Sequence, residues 1–372
     1  MASAPLVEGA ARAARAPRVA PPRPLPAQAG RALVPRTRHG NESAAAGTGA
    51  WSGARLRRAF GRRAGGPHHS GGAMKIDEAY AYCRAIAHKH GANFSVGFRF
   101  LPKVKRRAVY AAYAFCRVAD DIVDDDSGAA AASAVGPREN SAAEAAAAPQ
   151  VLDEWQRELD RAYDASATHP ITIALADALQ HFDIPKSAFI ALMDGCRQDL
   201  VKSRYETFDE LLHYCDLVAT SISDISLSIF GYRSDAAPAH GRSLATALQL
   251  TNVTRDIGDD LARDRIYVPL EELRRFGVAE QDVFARVENV SMRQLIEFQL
   301  DRAEQYFRDA EPLLRELAFD ARFPTLLMGG VYATVLAKLK KDPFIAIRKR
   351  LSLTPLQKVL VVGTRVLRPH FV

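Results

Sequence analysis

Residues 247–260, ALQLTNVTRDIGDD, decide the fold class. Gln249, Asn252, Asp256 and Asp260 recur at spacings of three, four and four, the period of one helix face. Leu248, Leu250, Val253 and Ile257 occupy the other faces. A helix that is apolar on most sides is buried, so its polar stripe is expected to line a cavity. Residues 113–124, YAFCRVADDIVD, repeat the device, with Asp120 and Asp124 one helical turn apart. Carboxylates at i and i+4 repel and cost a helix about 0.2–0.5 kcal/mol. A chain that builds two such pairs is expected to hold a cation between them. Oxygen ligands on a rigid helix, with positions left for phosphate oxygens and water, suit Mg²⁺, with Mn²⁺ as the alternative ion. The expected metal ligands are therefore Asp120, Asp124, Asp256 and Asp260, with Asp121, Asp125 and Asp259 on an adjacent face.

Outward from these stretches the chain reads helix after helix. Helical spacing predicts elements over 77–89, from Pro102 through the first acidic stretch, and at about 150–165, 170–182, 186–203, 207–230, 236–262, 291–318 and 322–341. Pro185, Pro238 and Pro324 are expected to mark helix starts, and Gly231 and Gly277 helix ends. Strand alternation is nearly absent, so the fold class is all-α. In such a bundle a ligand site sits between facing helices. Residues 127–150, SGAAAASAVGPRENSAAEAAAAPQ, read as a flexible surface loop.

The net charge of +7 is unevenly placed. Residues 1–73 hold twelve Arg and only two acids, Glu8 and Glu42, a local +10 that leaves −3 for the rest. This Arg/Ala/Pro-rich extension is expected to be disordered. It reads as a targeting segment, a lipid-touching tail or an over-extended start upstream of Met74, with the last favoured, which leaves residues 74–365 as the folded domain. A mildly acidic folded part argues against nucleic acid as a partner. Cys83, Cys116, Cys196 and Cys215 form no CxxC pair and read as buried apolar residues of a reducing compartment. No apolar run reaches the roughly 18 residues that span a bilayer.

Several side chains around the acids have phosphate chemistry. Arg117 lies three residues before Asp120 and can share a diphosphate with the metal; the plainer alternative is a solvated i,i+3 ion pair. Arg255, Arg263, Arg265 and Tyr267 are placed to meet further phosphate oxygens. Two Asp helices with Arg, Gln and Asn between them imply a substrate carrying diphosphate, whose ionisation leaves an allylic cation to be shielded from water. Phe94, Phe98, Phe100, Tyr110, Tyr113 and Phe230 are candidates for an aromatic lining, although each alone reads more simply as core.

Together the two acidic stretches resemble the squalene/phytoene synthase family, the head-to-head trans-isoprenyl diphosphate synthases, in its bacterial form. The second match continues through Arg265 to Pro269, and Asp194-Gly195, Asp199-Leu200, residues 204–208 (RYETF) and Tyr214-Cys215 support it, over about residues 77–360. The resemblance implies an all-α isoprenoid synthase bundle around a central cavity. It implies a prenyltransferase that joins two molecules of farnesyl or geranylgeranyl diphosphate through a cyclopropyl diphosphate to squalene or phytoene, NADPH being needed only for squalene. It also implies that the four aspartates hold Mg²⁺, that Arg117, Gln249 and Asn252 contact diphosphate or metal-bound water, that Tyr214 lies near the rearranging cation, and that Ser95 and Phe98 belong to a mobile segment over the site.

Two positions depart from the family pattern. Residues 218–223, VATSIS, replace a run with two glycines, which predicts a narrower or differently bent tunnel, and Phe344 stands where many relatives have Tyr. The C-terminal run 353–358, LTPLQK, tilts the expectation toward farnesyl diphosphate over geranylgeranyl diphosphate. Two other readings carry less. A non-catalytic assembly factor of the same fold would not keep both acidic stretches, and a terpene cyclase would carry an Asn/Ser/Glu-type second motif. The expected location is cytoplasmic, peripheral to the inner face of the membrane, because a C30 or C40 hydrocarbon must leave into lipid.

Overall fold

Helix follows helix from Ile76 onward in the computed structural model, which describes residues 74–90, 95–128, 148–367 and 369–372. The expected disorder of residues 1–73 and most of the expected loop lie outside the described residues. The ends of that loop are helical, because α3 runs to Gly128 and α4 begins at Ala148.

The first half is α1 (Ile76–His90), the short α2 (Ser95–Phe98), α3 (Lys103–Gly128), α4 (Ala148–Tyr163), α5 (Pro170–Leu179) and α6 (Lys186–Asp199). Then come α7 (Phe208–Cys215), a π-helical turn (Asp216–Thr220), α8 (Ser221–Phe230), α9 (Ala237–Arg255), α10 (Ile257–Asp260) and a 3-10 turn (Leu261–Arg263). The rest is α11 (Leu270–Arg275), α12 (Glu280–Phe284), α13 (Val290–Ala310), α14 (Leu313–Glu316), α15 (Phe319–Lys341), α16 (Ile345–Arg348) and α17 (Pro355–Leu367). Two isolated bridges, Arg204 with Ile266 and Tyr232 with Leu317, are the extended pairing among the described residues.

Several expected boundaries move. The span expected over 207–230 is cut by the π-helical turn, and the one over 291–318 stops at Ala310 before Pro312. Pro324 does not start its helix. α15 begins at Phe319 and carries the proline inside, where its missing N–H costs one hydrogen bond. The span over 236–262 breaks at Asp256, whose φ of −100° and ψ of 7° leave the helical region. Thr251 and Thr254 just upstream donate their hydroxyls to the carbonyls of Ala247 (2.7 Å) and Leu250 (2.8 Å), the back-bonding that bends helices. Gly231 and Gly277 do end helices, at φ +72° and +66°.

α9 is the central element and packs along α13, with α8, α15 and the π-helical turn against its other sides. α3 is held from the opposite side by α4. There Trp155, fully buried, stacks on Phe115 at 4.8 Å and donates Nε1 to the Phe115 carbonyl at 3.2 Å. Burying aromatic rings of this size contributes about 2–3 kcal/mol each and fixes which face of α3 turns inward. α6 approaches the π-helical turn at Gly195, where a Cβ would meet Val218 Cγ1 at 2.4 Å. Farther out, Glu272 is buried with Gln299 and Arg302, an ion pair that ties α11 to α13. All four cysteines are buried, and none is in a disulfide.

Candidate active site

The polar stripe of α9 and α10 survives the break. Asp256 N–H still donates to the Asn252 carbonyl and Asp260 N–H to the Asp256 carbonyl, both at 2.9 Å. Gln249, Asn252, Asp256 and Asp260 are all half-buried. On a helix enclosed by neighbours, partial exposure of one stripe means that a hollow reaches it. Asp256 is gripped by Arg255, with Nε to Oδ1 at 2.7 Å and Nη2 to Oδ2 at 2.5 Å, and by Arg350 Nε at 3.2 Å. Asp260 has no such grip. Burial, and then the charge of Asp256, push its carboxyl up to about 7, against the pull of Arg263 and Arg265. A carboxyl held near neutrality beside a carboxylate gains from any further cation; among the described residues no group of three or more His, Cys, Asp or Glu side chains is gathered as a metal site. Gly258 lies between the two acids and lets α10 touch α16: a Cβ there would meet the Ile347 carbonyl oxygen at 2.7 Å.

On α3, Arg117 donates to Asp120 at 2.8 Å and also to Asp121. The i,i+3 pair is therefore present, and Asp121 is a second partner. The side chain of Asp124 lies outside the described residues. Tyr113, one turn before Arg117, feels Arg117, Asp120, Asp121 and Tyr332; burial is the largest influence and pushes its hydroxyl up to about 12. Tyr332 of α15 is buried, and its raised hydroxyl, due first to burial, is held by hydrogen bonds from Asn252 and Arg255. This side chain links the two acidic stretches. Nothing in the spacing of the acids points to it.

A second network lies beside Asp260. Asp199, at the end of α6, accepts hydrogen bonds from the hydroxyls of Tyr214 (2.8 Å) and Tyr267 (3.0 Å), while Arg265 donates to its main-chain carbonyl at 2.8 Å. Tyr205 stacks on Tyr267 at 5.6 Å, and the rings of Tyr214 and Tyr267 are 5.3 Å apart. Burial raises the hydroxyls of Tyr205, Tyr214 and Tyr267. A cavity of about 10 Å³ bordered by Asp260, Arg265 and Tyr267 joins this cluster to the acidic stripe. The larger hollow of about 350 Å³ lies between Ile76, Tyr163 and Leu179, away from both acidic stretches.

The expected site residues fall into three groups. Arg117, Gln249, Asn252, Asp256, Asp260, Tyr214, Arg265 and Tyr267 all belong to the two networks just described. Arg255 pairs with Asp256 and bonds Tyr332. Phe98 is buried against Tyr110 (6.1 Å) and Tyr113 (6.2 Å), and Ser95 opens the same short helix, but Phe100 points outward and is 52% exposed. Phe230 is buried, Phe94 lies outside the described residues, and Phe344 is buried under Arg293. Spacing alone missed Asp199, Tyr205, Tyr332 and Arg350.

The departure at 218–223 is absorbed by the helix. Thr220 donates its hydroxyl to Asp216 at 2.9 Å and Ser221 to the Leu217 carbonyl at 2.5 Å, and both are buried. Ser223 is turned onto Gly241 of α9, where its Oγ would lie 2.7 Å from an added Cβ. Thr220 and Ser221 thus bond within their own stretch, and Ser223 packs on α9.

The family model of squalene/phytoene synthase matches residues 87–357. The chain belongs to the squalene/phytoene synthase family. It is a prenyltransferase of the kind that condenses two prenyl diphosphates head to head, and its all-helical architecture is that of the family. A 15-cis-phytoene synthase of Synechocystis sp. is 33% identical over 305 residues, covering 79% of this chain and 86% of that protein. A solved dehydrosqualene synthase superposes with a TM-score of 0.69 at 25% identity, covering 79% of this chain and 98% of that one. A squalene synthase from Alicyclobacillus acidocaldarius gives 0.62 at 29% identity, covering 72% and 95%.

Proposed function

We propose that this synthase binds prenyl diphosphate between the α3 and α9/α10 acids and makes phytoene from two molecules of geranylgeranyl diphosphate. The observation that carries the site is the half-buried stripe of Gln249, Asn252, Asp256 and Asp260, with the Asp260 carboxyl raised by burial and by the charge of Asp256 and with Tyr332 bonded by Asn252 and Arg255. Asp120, Asp124, Asp256 and Asp260 are the residues to hold Mg²⁺ or Mn²⁺, which when bound would supply positive charge for the leaving diphosphate. Arg117 and Arg350 add fixed positive charge for phosphate oxygens, and Gln249 and Asn252 orient them. The C1–O bond of one substrate breaks with its electron pair on the diphosphate, and the C2–C3 π electrons of the other form the new bond; closing the cyclopropane releases one proton, and the second diphosphate leaves in the later ionisation, whose rearranged cation loses a second proton. Tyr214 and Tyr267 direct their protons to Asp199, so neither hydroxyl proton is aimed at the cation, while their rings favour positive charge nearby.

The chain length follows from the sequence relatives: the Synechocystis protein is a 15-cis-phytoene synthase at 33% identity. This departs from the expectation of farnesyl diphosphate drawn from the C-terminal run. The farnesyl reading retains the dehydrosqualene and squalene synthases among the solved neighbours. Phytoene arises by proton loss, so NADPH is not required under the proposed reading. Among the described residues no helix is long and apolar enough to cross a membrane, so product release into lipid calls for peripheral contact. The catalytic unit is residues 74–365, and purified protein incubated with each diphosphate and Mg²⁺ is the test. Phytoene from geranylgeranyl diphosphate is the expected product. Consumption of farnesyl diphosphate alone, with NADPH-dependent squalene, would overturn the chain-length assignment.

A further inference from the structure

We propose that the outward face formed by Phe100, Val104 and Phe319 docks this protein on an anionic lipid surface. The three side chains are 52%, 52% and 79% exposed. They belong to one rigid corner. Phe100 meets Phe323 of α15 edge-on at 5.0 Å, Lys105 of α3 bonds Asp320 of α15 at 2.7 Å and the Phe230 carbonyl at 2.8 Å, and Gly97 abuts the Pro324 carbonyl. Exposed aromatic and aliphatic groups fixed on a framework gain by entering a headgroup region.

The rim has the charge to match. Residues 97–107, GFRFLPKVKRR, contain five cations and no acid. Arg99 and Lys103 are exposed. Arg106 is held by the carbonyls of Arg99 (3.1 Å) and Leu101 (3.5 Å), and Arg322 by those of Leu317 (3.1 Å) and Arg315 (2.9 Å), which position both guanidinium groups without cancelling their charge. The nearby acids Asp320 and Asp77 are matched by Lys105 and Arg107. Each unmatched cation near an anionic surface adds attraction that is absent at a neutral one. A cationic rim around exposed rings suits an anionic headgroup region, where both parts gain.

The position also serves the chemistry, and this part rests on the prenyl-transfer reading. Phe98 packs inward on Tyr110 and Tyr113, next to Arg117, while Phe100, two residues on, points outward. Docking this corner brings lipid to within one short helix of the site that handles prenyl chains.

The test is co-sedimentation of the full chain with phosphatidylcholine vesicles, with and without phosphatidylglycerol. Alongside it runs turnover of detergent-dispersed geranylgeranyl and farnesyl diphosphate. The expected result is binding to the anionic vesicles, at least about tenfold weaker in Phe100→Glu/Phe319→Glu and unchanged within about twofold in Leu356→Glu/Leu360→Glu, the other exposed apolar pair, on α17. Detergent turnover of the first variant stays within about twofold, which also reports that it folds. Phe100→Ala/Phe319→Ala, which removes the rings without adding charge, is expected to weaken binding in the same direction. Failure of the unaltered protein to sediment with anionic vesicles overturns the proposal, as does equal loss in the α17 variant or a change of oligomeric state in place of vesicle binding. Vesicle binding without turnover of either diphosphate would instead sink the functional reading and leave the lipid surface standing.

Discussion

Replacing Gly258 by alanine isolates the contact that sets the second acidic pair. The added methyl would lie 2.7 Å from the Ile347 carbonyl oxygen, 3.1 Å from its carbon and 3.3 Å from the Ala346 oxygen. All three are main-chain atoms, so no side chain can swing aside. Restoring ordinary contact, which begins at 3.4 Å, requires α10 and α16 to part by about 0.7 Å, and forced overpacking of this kind costs about 1–3 kcal/mol. Alanine returns about 1 kcal/mol through its helix preference over glycine, leaving a net loss of about 1 kcal/mol. That corresponds to a melting temperature lower by about 2–4 °C. The catalytic effect is larger than the thermal one. α16 leads directly to Arg350, which grips Asp256 at 3.2 Å, and Asp256 and Asp260 flank the displaced residue. A 1 Å misplacement costs about 100-fold, so kcat/KM is expected to fall about tenfold. Steady-state turnover with prenyl diphosphate and a thermal melt on the same preparation measure both. A variant that melts as the parent does and keeps kcat/KM within twofold would refute the reasoning.

Four further outcomes are expected. Asp120→Ala, at an exposed carboxylate, and Asp256→Ala each lower turnover by at least about 100-fold while the circular dichroism spectrum stays helical, and Asp256→Ala also lowers the urea midpoint because it takes the partner of the buried Arg255; retention of turnover in both would remove the site. Tyr214→Phe leaves Asp199 with one tyrosine partner fewer and costs about 1 kcal/mol in denaturant unfolding, with a shift in product distribution measured by chromatography. Arg302→Ala strands the buried Glu272 and costs about 3–5 kcal/mol, read as a drop in the urea midpoint. Burial depresses His169 from 6.5 to about 4, so its contribution is complete above pH 6.5 and is lost as pH falls toward 4, by up to about 3 kcal/mol. Glu158 acts in the same direction: burial raises it, but hydrogen bonds from Thr168, Thr172 and Arg161 outweigh that and hold it below its ordinary value, so its stabilisation is lost on further acidification. His169→Asn keeps an acceptor for the Ile171 N–H and is expected to flatten the stability profile between pH 6.5 and 4.

The polar stripe of α9 was legible because helical spacing is a local property: Gln249, Asn252, Asp256 and Asp260 sit three and four apart whatever surrounds them. The break at Asp256 was not legible. Thr251 and Thr254 bend the helix just upstream through bonds that their identity permits but does not compel, and the approach of Gly258 to Ile347 joins residues far apart in the chain. Asp199, Tyr205, Tyr214 and Tyr267 converge for the same reason, from the ends of α6 and α7 and from two loops paired by the Arg204–Ile266 bridge. Tyr332 left a weak trace, the one tyrosine in the apolar run of α15, whereas Arg350 lies in a loop with no periodicity to read. Composition anticipated bulk in residues 220–223, but the direction of those side chains is set by the turn that carries them.

That turn has a further meaning in terms of insertion and deletion. A π-helical turn holds one residue more than the α-helix it interrupts, and each residue of an α-helix rotates the direction of the next by about 100°. The extra residue within 216–220 therefore lets Tyr214 aim at Asp199 while Ser223 aims at Gly241. Removing any one residue there would restore regular winding and swing one of the two contacts out of register. The length of this stretch is thus constrained more tightly than its composition, and variants of the wall are to be sought by substitution rather than by shortening.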